Sequence, residues 1–231
     1  MKLYELVGRD PKSGFSPFVW RIKMALAHKG LDYELVPLYF TEIKEELAFA
    51  NSKTVPVLVD GENIISDSFN IASYLEETYP DRPSLFGGVG GKTAAKLLGF
   101  QIARPLLMPL FRTLVADIYG SIDPKDKEYF RQSREPRIGC TIEEAAESYD
   151  EALKTFQNNL IPYDLFLQAS EFYSGETPAY ADYVMYGIFL WARRTSKKVL
   201  IEQDSKIASW IKRMDGLFDG LGSQVKMIEK P

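Results

Sequence analysis

Hydrophobic and polar positions alternate with two different periods over the first eighty residues of the chain. Short runs rich in β-branched and aromatic residues predict strands at residues 2–7, 33–38, 55–59 and 63–65. Apolar positions three and four apart predict helices that begin after Ser16, at Thr41 and after Asp67. Asp60-Gly61 joins the last two strands and is a strong signal for a hairpin turn.

The resulting element order is β-α-β-α-β-β-α, which is typical of a thioredoxin-like domain with a parallel and an antiparallel half to its sheet. Ser16 occupies the N-cap position of the first helix, and Pro17 follows at its first helical position. Asp67 and Ser68 stand at the start of the last helix. We therefore assign residues 1–82 to a thioredoxin-like domain.

Prolines and glycines separate this part from a second one that shows only helical patterns. The linker contains Pro80, Pro83 and the glycines at 87, 88, 90 and 91. Beyond it, helices are predicted at 92–101, 141–158, 181–196 and 205–217, with another opened by Asp123-Pro124. Pro105 and Pro109 predict a kink or a break after the first of these helices. Residues 92–231 are therefore assigned to an all-helical domain.

The composition argues against several classes of site and partner. One cysteine and one histidine cannot form an internal disulfide or complete a structural zinc site, so we expect no metal. Cysteine–histidine catalysis would bring Cys140 and His28 together from different predicted domains, and a partly exposed helix position is the simpler interpretation of His28. A net charge of −4 with scattered Lys and Arg argues against nucleic acid as a partner.

The beginning of the chain bears on location. It starts with a strand pattern and carries no basic, apolar and cleavage-site regions of a secretion signal. No apolar stretch approaches the length of a membrane span. We therefore expect a cytoplasmic protein that does not associate with a membrane.

Ser16 stands where a thioredoxin-like domain carries its reactive group, after the first strand and at the start of a helix. Redox members of that fold carry Cys-x-x-Cys there, and a serine cannot cycle between thiol and disulfide. The reactive sulfur would then come from a ligand, and glutathione supplies a thiol. The alternative is that Ser16 is an ordinary N-cap with no ligand.

The energetics allow such a site. Lowering the pKa of a thiol from ~8.5 by about two units requires a preference for the thiolate of roughly 2.7 kcal/mol. A hydroxyl hydrogen bond to a charged acceptor contributes about 1.5–3 kcal/mol. The N-terminus of a helix adds on the order of 0.3–1 kcal/mol. Ser16 and the helix that begins at Pro17 could together hold a thiolate.

Two further residue pairs favour glutathione over simple capping. In Val55-Pro56, a cis proline would leave the Val55 backbone free to pair with an extended peptide. The alternative there is an ordinary trans proline at a strand entry. At Asp67-Ser68, a hydroxyl at a helix N-terminus suits a carboxylate and the Asp67 side chain suits an ammonium, as the γ-glutamyl end of glutathione requires. Helix capping alone is again the alternative.

These residues lie in segments that resemble the glutathione transferase superfamily across essentially the whole chain. The matching segments are SPFVWRIKMAL, TVPVLVDG, DSFNIASYLEETYP and YADYVMYGIFLW. The resemblance implies a glutathione-using enzyme with a thiolate-holding Ser16, a cis Pro56, a backbone-pairing Val55 and a γ-glutamyl site at Asp67 and Ser68. It also implies a homodimer.

Further site residues follow from the same resemblance. Arg21 fits the S-x4-R spacing of serine-type members, with a surface or salt-bridging arginine as the alternative. The glycyl carboxylate of glutathione would meet Lys53, Thr54 or Lys44, although Lys53 could equally be a solvated charge. A pocket for an aromatic or hydrophobic electrophile is expected between the domains, although aromatic residues at helical spacing are commonly core. Its predicted lining is Phe15, Phe111, Arg112, Tyr119 and Met108.

Within the superfamily, the segments SPFVWR, KGLDYELVP, YPDRPSLF and LFDGLG resemble the β-etherase-like transferases. Their described members cleave β-aryl ethers, because the glutathione thiolate displaces an aryloxide from the carbon next to a ketone. A non-enzymatic module that binds glutathione, a hydrophobic ligand or a partner protein is the alternative function for the same fold.

The chain departs from those relatives at two positions. A hydroxyl residue usually stands two positions before the serine, whereas this chain has Gly14, which leaves Ser13 as a substitute. The helix near residue 179 usually has Ser, Thr or Asn as its cap, three residues before Asp182, whereas this chain has Ala179. The missing cap predicts a loss of about 1 kcal/mol of helix stability.

Overall fold

The computed structural model of the protein describes residues 1–227, so the last four residues of the predicted helical domain lie outside the described part. The first part of the chain contains four strands and three helices. The strands are β1 (Lys2–Leu6), β2 (Glu34–Leu38), β3 (Val57–Asp60) and β4 (Asn63–Ser66). The helices are α1 (Pro17–Lys29), α2 (Ile43–Glu46) and α3 (Ser68–Thr78).

The four strands form one sheet in the order β2-β1-β3-β4. Strand β1 runs parallel to β2 and antiparallel to β3, and β4 pairs with β3 in a hairpin. Leu3 and Leu58 are paired opposite each other and are fully buried in the core that includes α1 and α3. Val57 packs with Leu38 and Leu47 in a smaller cluster beside α2. The predicted thioredoxin-like order is confirmed.

The second part of the chain is helical, as predicted. Its helices are α4 (Val89–Ile102), α5 (Met108–Ser121), α6 (Lys127–Ile138), α7 (Ile142–Glu147), α8 (Tyr149–Phe166), α9 (Tyr180–Thr195) and α10 (Lys206–Asp215). Helix α9 lies in the centre and is buried on almost every side. Among residues 1–227, no helix combines the length and the apolar character that crossing a membrane requires.

Several helix boundaries differ from the prediction; α8, for example, continues to Phe166, eight residues beyond the expected end. The single helix expected at 141–158 is two helices, because the chain turns at Ser148, whose hydroxyl donates to the Glu144 carbonyl at 2.8 Å. Helix α4 begins at Val89, so it includes two glycines assigned to the linker. At Gly91 a Cβ atom would lie 1.8 Å from the Phe86 carbonyl oxygen, and only glycine allows the linker to pass so close to the helix.

The predicted break between the first two helices of this part is confirmed. Residues Ala103–Leu107 form one π-helical turn around Pro105, and Pro109 lies in the first turn of α5. The side chain of Asn159 on α8 donates to the Pro105 carbonyl at 2.8 Å. That hydrogen bond satisfies a carbonyl in the irregular turn, so the turn is held in place by α8.

Helices α1 and α9 join the two parts of the chain. A Cβ atom at Gly187 of α9 would lie 2.5 Å from the Pro17 carbonyl oxygen, so glycine permits the two helices to touch at the first turn of α1. Buried side chains of both parts, such as Val19 of α1 and Tyr183 of α9, belong to one continuous core. The start of α1 is therefore fixed at the boundary between the two parts.

The start of α9 depends on Asp182 rather than on a capping side chain. Ala179 has no side-chain acceptor, but the fully buried carboxylate of Asp182 accepts a hydrogen bond from the Ala179 N–H at 3.2 Å. It also accepts from the Tyr173 N–H at 2.8 Å and the Ser174 N–H at 3.1 Å. The indole Nε1 of Trp210 on α10 donates to it at 2.9 Å. One carboxylate thus joins α9, α10 and the preceding loop.

Gly14, in the loop before α1, leaves space that an acidic side chain occupies. The Glu5 carboxylate of β1 is buried in an ion pair with Lys23 at 2.6 Å, and a Cβ atom at Gly14 would lie 1.7 Å from Glu5 Oε2. The neighbouring Ser13 hydroxyl donates to Asp10 at 2.7 Å. A hydroxyl two residues before Ser16 would therefore displace the buried ion pair, and Ser13 does not replace it.

We predict that Asp182→Ala lowers the free energy of unfolding by about 3 kcal/mol or more, because it leaves several buried N–H donors without an acceptor. Ala179→Ser should raise the free energy of unfolding by at most about 1 kcal/mol, since it adds only a cap. Urea unfolding followed by circular dichroism measures both. A larger effect at residue 179 than at residue 182 would contradict this account of α9.

We also predict that Gly14→Ser lowers the free energy of unfolding by about 1–3 kcal/mol, because the added side chain overpacks the site of the Glu5 carboxylate. Gly99→Ser is the matched control, since nothing lies within 4 Å of a Cβ atom at Gly99. Thermal unfolding of the two variants measures the difference, and equal melting temperatures would show that Glu5 can move aside without cost.

Candidate active site

A cavity of about 530 Å³ lies between the sheet part and the helical part of the chain. Most of the residues predicted to bind glutathione line it, and they are Ser16, Lys53, Thr54, Val55, Asp67 and Ser68, together with Pro56. Lys44, the third candidate for the glycyl carboxylate, does not line it. They come from the starts of α1 and α3 and from the loop before β3. Loops at one edge of a sheet therefore form one wall of the cavity.

Ser16 faces this cavity from the first turn of α1. Its Oγ accepts a long hydrogen bond from the Val19 N–H at 3.4 Å, which makes it the N-cap. Among the described residues, none accepts a hydrogen bond from the Ser16 hydroxyl. The first turn of α1 carries no acidic side chain. The positive end of the α1 dipole and a hydroxyl that lacks an acceptor therefore both lie at the cavity next to Ser16.

The loop before β3 presents backbone groups to the cavity. The Val55–Pro56 peptide bond is cis, and β3 begins directly after it, at Val57. Within the described residues, the Val55 N–H and C=O form no hydrogen bond. Lys53 and Thr54 lie exposed at the rim of the cavity. An extended peptide could pair with this stretch of backbone as a further strand would.

The start of α3 provides a carboxylate and a hydroxyl. Asp67 has a φ of 74°, and its Oδ1 accepts from the N–H groups of Phe69 at 2.9 Å and Asn70 at 3.1 Å. Its second oxygen, Oδ2, has no hydrogen-bond donor in the described part of the chain. Ser68 is buried next to it at the helix N-terminus. The arrangement can hold an ammonium and a carboxylate side by side.

Arg21 lies behind this wall and does not line the cavity. Its side chain is 5% exposed, and its guanidinium lies 4.5 Å from the Phe18 ring centroid. The guanidinium Nε and Nη2 have no hydrogen-bond partner among residues 1–227, so Arg21 is neither a surface arginine nor a salt-bridging one. Burial lowers the pKa of the Arg21 guanidinium, and the negative charge of Asp67 acts in the opposite direction. Burial raises the pKa of the neighbouring Tyr180 to about 12, so that hydroxyl is neutral at pH 7. Arg21 is therefore a buried positive charge between α1 and α9.

Two of the residues predicted for the electrophile pocket do not line it. Phe15, Phe111 and Met108 do, but Arg112 and Tyr119 do not. Arg112 follows Phe111 on α5 and is turned away by about 100°, so its guanidinium lies 3.8 Å from the Cys140 sulfur instead. Ile118, seven residues after Phe111, faces the cavity.

Tyr119 does not line the cavity and packs behind one of the residues that do. Its ring packs against Phe130 with 6.1 Å between ring centroids, and Lys127 and Arg131 lie over its face.

His28 and Cys140 lie apart from each other and outside the cavity lining. His28 Nδ1 lies 2.6 Å from the Tyr183 hydroxyl, whereas Cys140 contacts α5. Among residues 1–227, no group of three His, Cys, Asp or Glu side chains is placed to hold a metal ion.

Further lining residues come from distant segments and were not predicted from the sequence. They include Phe40, Ile43, Ala103, Leu107, Tyr129, Phe130, Arg134, Arg137 and Trp191. The fully buried Asp126 positions part of this lining, because its carboxylate accepts from the N–H groups of Phe40 and Thr41 at 3.0 Å each. No local pattern shows which face of α6 meets the loop after β2, so no sequence signal could have found these residues.

Comparison with known proteins identifies both parts of the chain. The glutathione S-transferase N-terminal domain family matches residues 12–83, and the C-terminal domain family matches residues 100–217. A zeta-class glutathione S-transferase of Euphorbia esula is 38% identical over 113 residues, which is 47% of this chain and 50% of that protein. The chain thus spans about half the length of that curated relative in the match, and about a third of the next ones.

Solved structures extend the likeness over the whole fold. A glutathione S-transferase of Ceriporiopsis subvermispora, solved in complex with glutathione, superposes with a TM-score of 0.78 at 23% identity, covering 96% of this chain and 93% of that one. Glutathione transferase GSTFuA3 of Phanerochaete chrysosporium gives 0.76 at 26% identity, covering 97% and 93%. With both halves of the chain matched and the two-part fold shared, the protein belongs to the glutathione S-transferase family.

Proposed function

We propose that the protein is a glutathione transferase in which Ser16 stabilises the thiolate of bound glutathione for attack on an aromatic electrophile. The observation that carries the proposal is the Ser16 hydroxyl, which faces the cavity at the N-terminus of α1 and has no acceptor among the described residues. A sulfur anion at that place would receive the hydroxyl hydrogen bond and lie at the positive end of the helix.

Glutathione fits the surrounding groups along its length. The Val55 backbone pairs with its cysteinyl part, and the free Oδ2 of Asp67 accepts from its γ-glutamyl ammonium. Ser68 donates to the γ-glutamyl carboxylate, and the exposed Lys53 and Thr54 meet the glycyl carboxylate. The structural relative from Ceriporiopsis subvermispora, which was solved with glutathione, supports this choice of ligand.

The electrophile would occupy the apolar remainder of the cavity. Phe111 and Trp191 are stacked there with 6.1 Å between ring centroids, and Met108 lies beside them. A cavity of about 530 Å³ is within the range that small organic ligands occupy. The thiolate forms a carbon–sulfur bond while the leaving group departs with the electron pair of the bond that breaks. The thiol proton has gone to water beforehand.

Cleavage of a β-aryl ether is the finer form of this proposal. There the carbon next to a ketone is attacked, the carbon–oxygen bond breaks and an aryloxide leaves, which water protonates. The resemblance to the etherase-like segments supports it. Against it, the Glu5 carboxylate fills the space beside Gly14 that the second hydroxyl of those relatives would need. A screen of aryl ethers, halides and isothiocyanates with glutathione distinguishes ether cleavage from conjugation.

A non-enzymatic binding module is the competing function. Binding alone does not require a serine hydroxyl that can stabilise the thiolate of the ligand, whereas catalysis does. The geometry of Ser16 therefore favours the enzyme. Binding of glutathione without turnover of any electrophile in that screen would favour the module. A homodimer and a cytoplasmic location remain predictions from the resemblance and the sequence, and light scattering of the purified chain tests the first.

We predict that Ser16→Ala lowers kcat/KM at pH 7 by about tenfold to a hundredfold, because it removes a hydrogen bond of about 1.5–3 kcal/mol to the thiolate. Without that bond the pKa of the bound thiol rises towards ~8.5, so the loss is largest at neutral pH and shrinks as the pH rises through that value. The pH profile of kcat/KM measures the shift.

Ser13→Ala is the matched control for this experiment, because the Ser13 hydroxyl is bonded to Asp10 and does not face the cavity. Its pH profile should coincide with that of the wild-type protein. Wild-type turnover by Ser16→Ala with an unshifted profile would overturn the proposed role of Ser16.

We predict that Asp67→Asn weakens the binding of S-methylglutathione by about tenfold, because the amide still caps α3 but no longer offers a charged acceptor to the ammonium. Isothermal titration calorimetry measures the affinity. Asp81→Asn, an exposed position outside the cavity, is the control and should bind as the wild type does. Equal affinities of all three proteins would exclude Asp67 from the γ-glutamyl site.

A further inference from the structure

Two arginines of α6 line the cavity without a carboxylate partner. Arg134 and Arg137 are three residues apart, so they lie on one face of the helix. Neither forms an ion pair within residues 1–227. By contrast, Arg131 on the same helix is bonded to the carboxylates of Glu135 and Glu143. The positive charges of Arg134 and Arg137 are therefore not neutralised by a described carboxylate, whereas that of Arg131 is.

An aromatic wall leads from the thiolate site to Arg134. Phe15, which precedes Ser16, packs against Phe40 with 6.0 Å between ring centroids. The Arg134 guanidinium carbon lies 5.2 Å from the centre of the Phe40 ring and 5.5 Å from that of Phe130. The Ser16 hydroxyl and the Arg134 guanidinium thus lie at the same cavity, connected through the packed rings of Phe15 and Phe40.

The wall and the guanidinium are held in place. Asp126, at the start of α6, is fully buried and accepts from the backbone of Phe40 and Thr41, which fixes the loop after β2 against that helix. Arg134 is half-buried and donates to the Ser133 hydroxyl at 3.0 Å. Its desolvation lowers the pKa of the guanidinium, and the charge of Arg137 acts in the same direction. A bound anion would relieve both effects.

We propose that the cavity selects aromatic electrophiles that carry a carboxylate, which Arg134 binds with the support of Arg137 while the reactive carbon faces the sulfur held by Ser16. The planar guanidinium can donate two parallel hydrogen bonds to a carboxylate, so it is suited to this group. This inference rests on the proposed transferase function and specifies its substrate class. Apart from Asp67 at the start of α3, the described residues that line the cavity include no acidic side chain that would oppose such a ligand.

The glycyl carboxylate of glutathione is the other anion that these arginines could bind. In our assignment it meets Lys53 and Thr54, which belong to the sheet part of the chain and precede the cis peptide bond. A pair of ligands with the same glutathione part separates the two possibilities. S-(4-carboxybenzyl)glutathione and S-benzylglutathione differ only in the carboxylate on the aryl ring.

Calorimetric titration of the full chain with these two conjugates tests the proposal. The carboxybenzyl conjugate should bind wild-type protein about tenfold more tightly, a difference that falls as salt is added. Arg134→Met should remove that difference and leave the affinity for S-benzylglutathione unchanged, and Arg134→Lys should restore part of it. Arg112→Met, an arginine of α5 outside the cavity, is the control and should retain the full difference.

Three outcomes would overturn the proposal. Equal binding of both conjugates to the wild-type protein would exclude a carboxylate site while the transferase function stands. An equal loss for both conjugates in Arg134→Met would assign the arginine to the glycyl carboxylate. Failure of both conjugates to bind would overturn the proposed function together with this inference.

Turnover provides an independent measure. With 4-(bromomethyl)benzoate, the glutathione sulfur forms a bond to the benzylic carbon and bromide leaves with the electron pair of the carbon–bromine bond. The methyl ester of the same compound is the neutral match. We expect KM for the acid to be about tenfold lower than for the ester in wild type and equal to it in Arg134→Met, with similar kcat. A ratio that is unchanged by the substitution would contradict the proposal.

Discussion

The close contact between α1 and α9 is the constraint on which the site depends. Gly187 lets the first turn of α1 approach α9 so closely that any side chain there would collide with the Pro17 carbonyl. The N-terminus of α1 is therefore fixed at the boundary between the sheet and the helices, in a core that both share. Ser16 faces a cavity only because this packing places the helical part opposite it.

The two walls of the cavity have different chemistry because they come from different kinds of structure. The sheet part presents loop backbone and helix N-termini, which bind the charged and peptide groups of a ligand through N–H donors and caps. The helical part presents side chains such as Phe111 and Trp191, which offer apolar surface. That division suits the peptide-like ligand and the aromatic electrophile that we propose for the two walls.

Buried charges hold the assembly around this cavity. The carboxylates of Asp126 and Asp182 are fully buried, and each accepts backbone N–H bonds from a neighbouring segment. Arg21, in contrast, lies buried between α1 and α9 with part of its guanidinium unpaired among the described residues, close to the start of α3. Carboxylates thus join segments of the chain. Arg21, Arg134 and Arg137, which form no ion pair within residues 1–227, lie near the sites where we propose that anions bind.

The sequence by itself determined the order of strands and helices in the first part of the chain, the cap at Ser16 and the hairpin after β3, because each depends on residues a few positions apart. It also marked Ser16, Asp67 and Ser68, which stand at helix starts, whereas Lys53 and Thr54 were predicted from the family resemblance alone. Only the tertiary structure decided that Ile118 rather than Arg112 faces the cavity, and that Arg134 reaches it. Which face of a helix meets a loop eighty or more residues away depends on packing across the fold, and local periodicity carries no record of it.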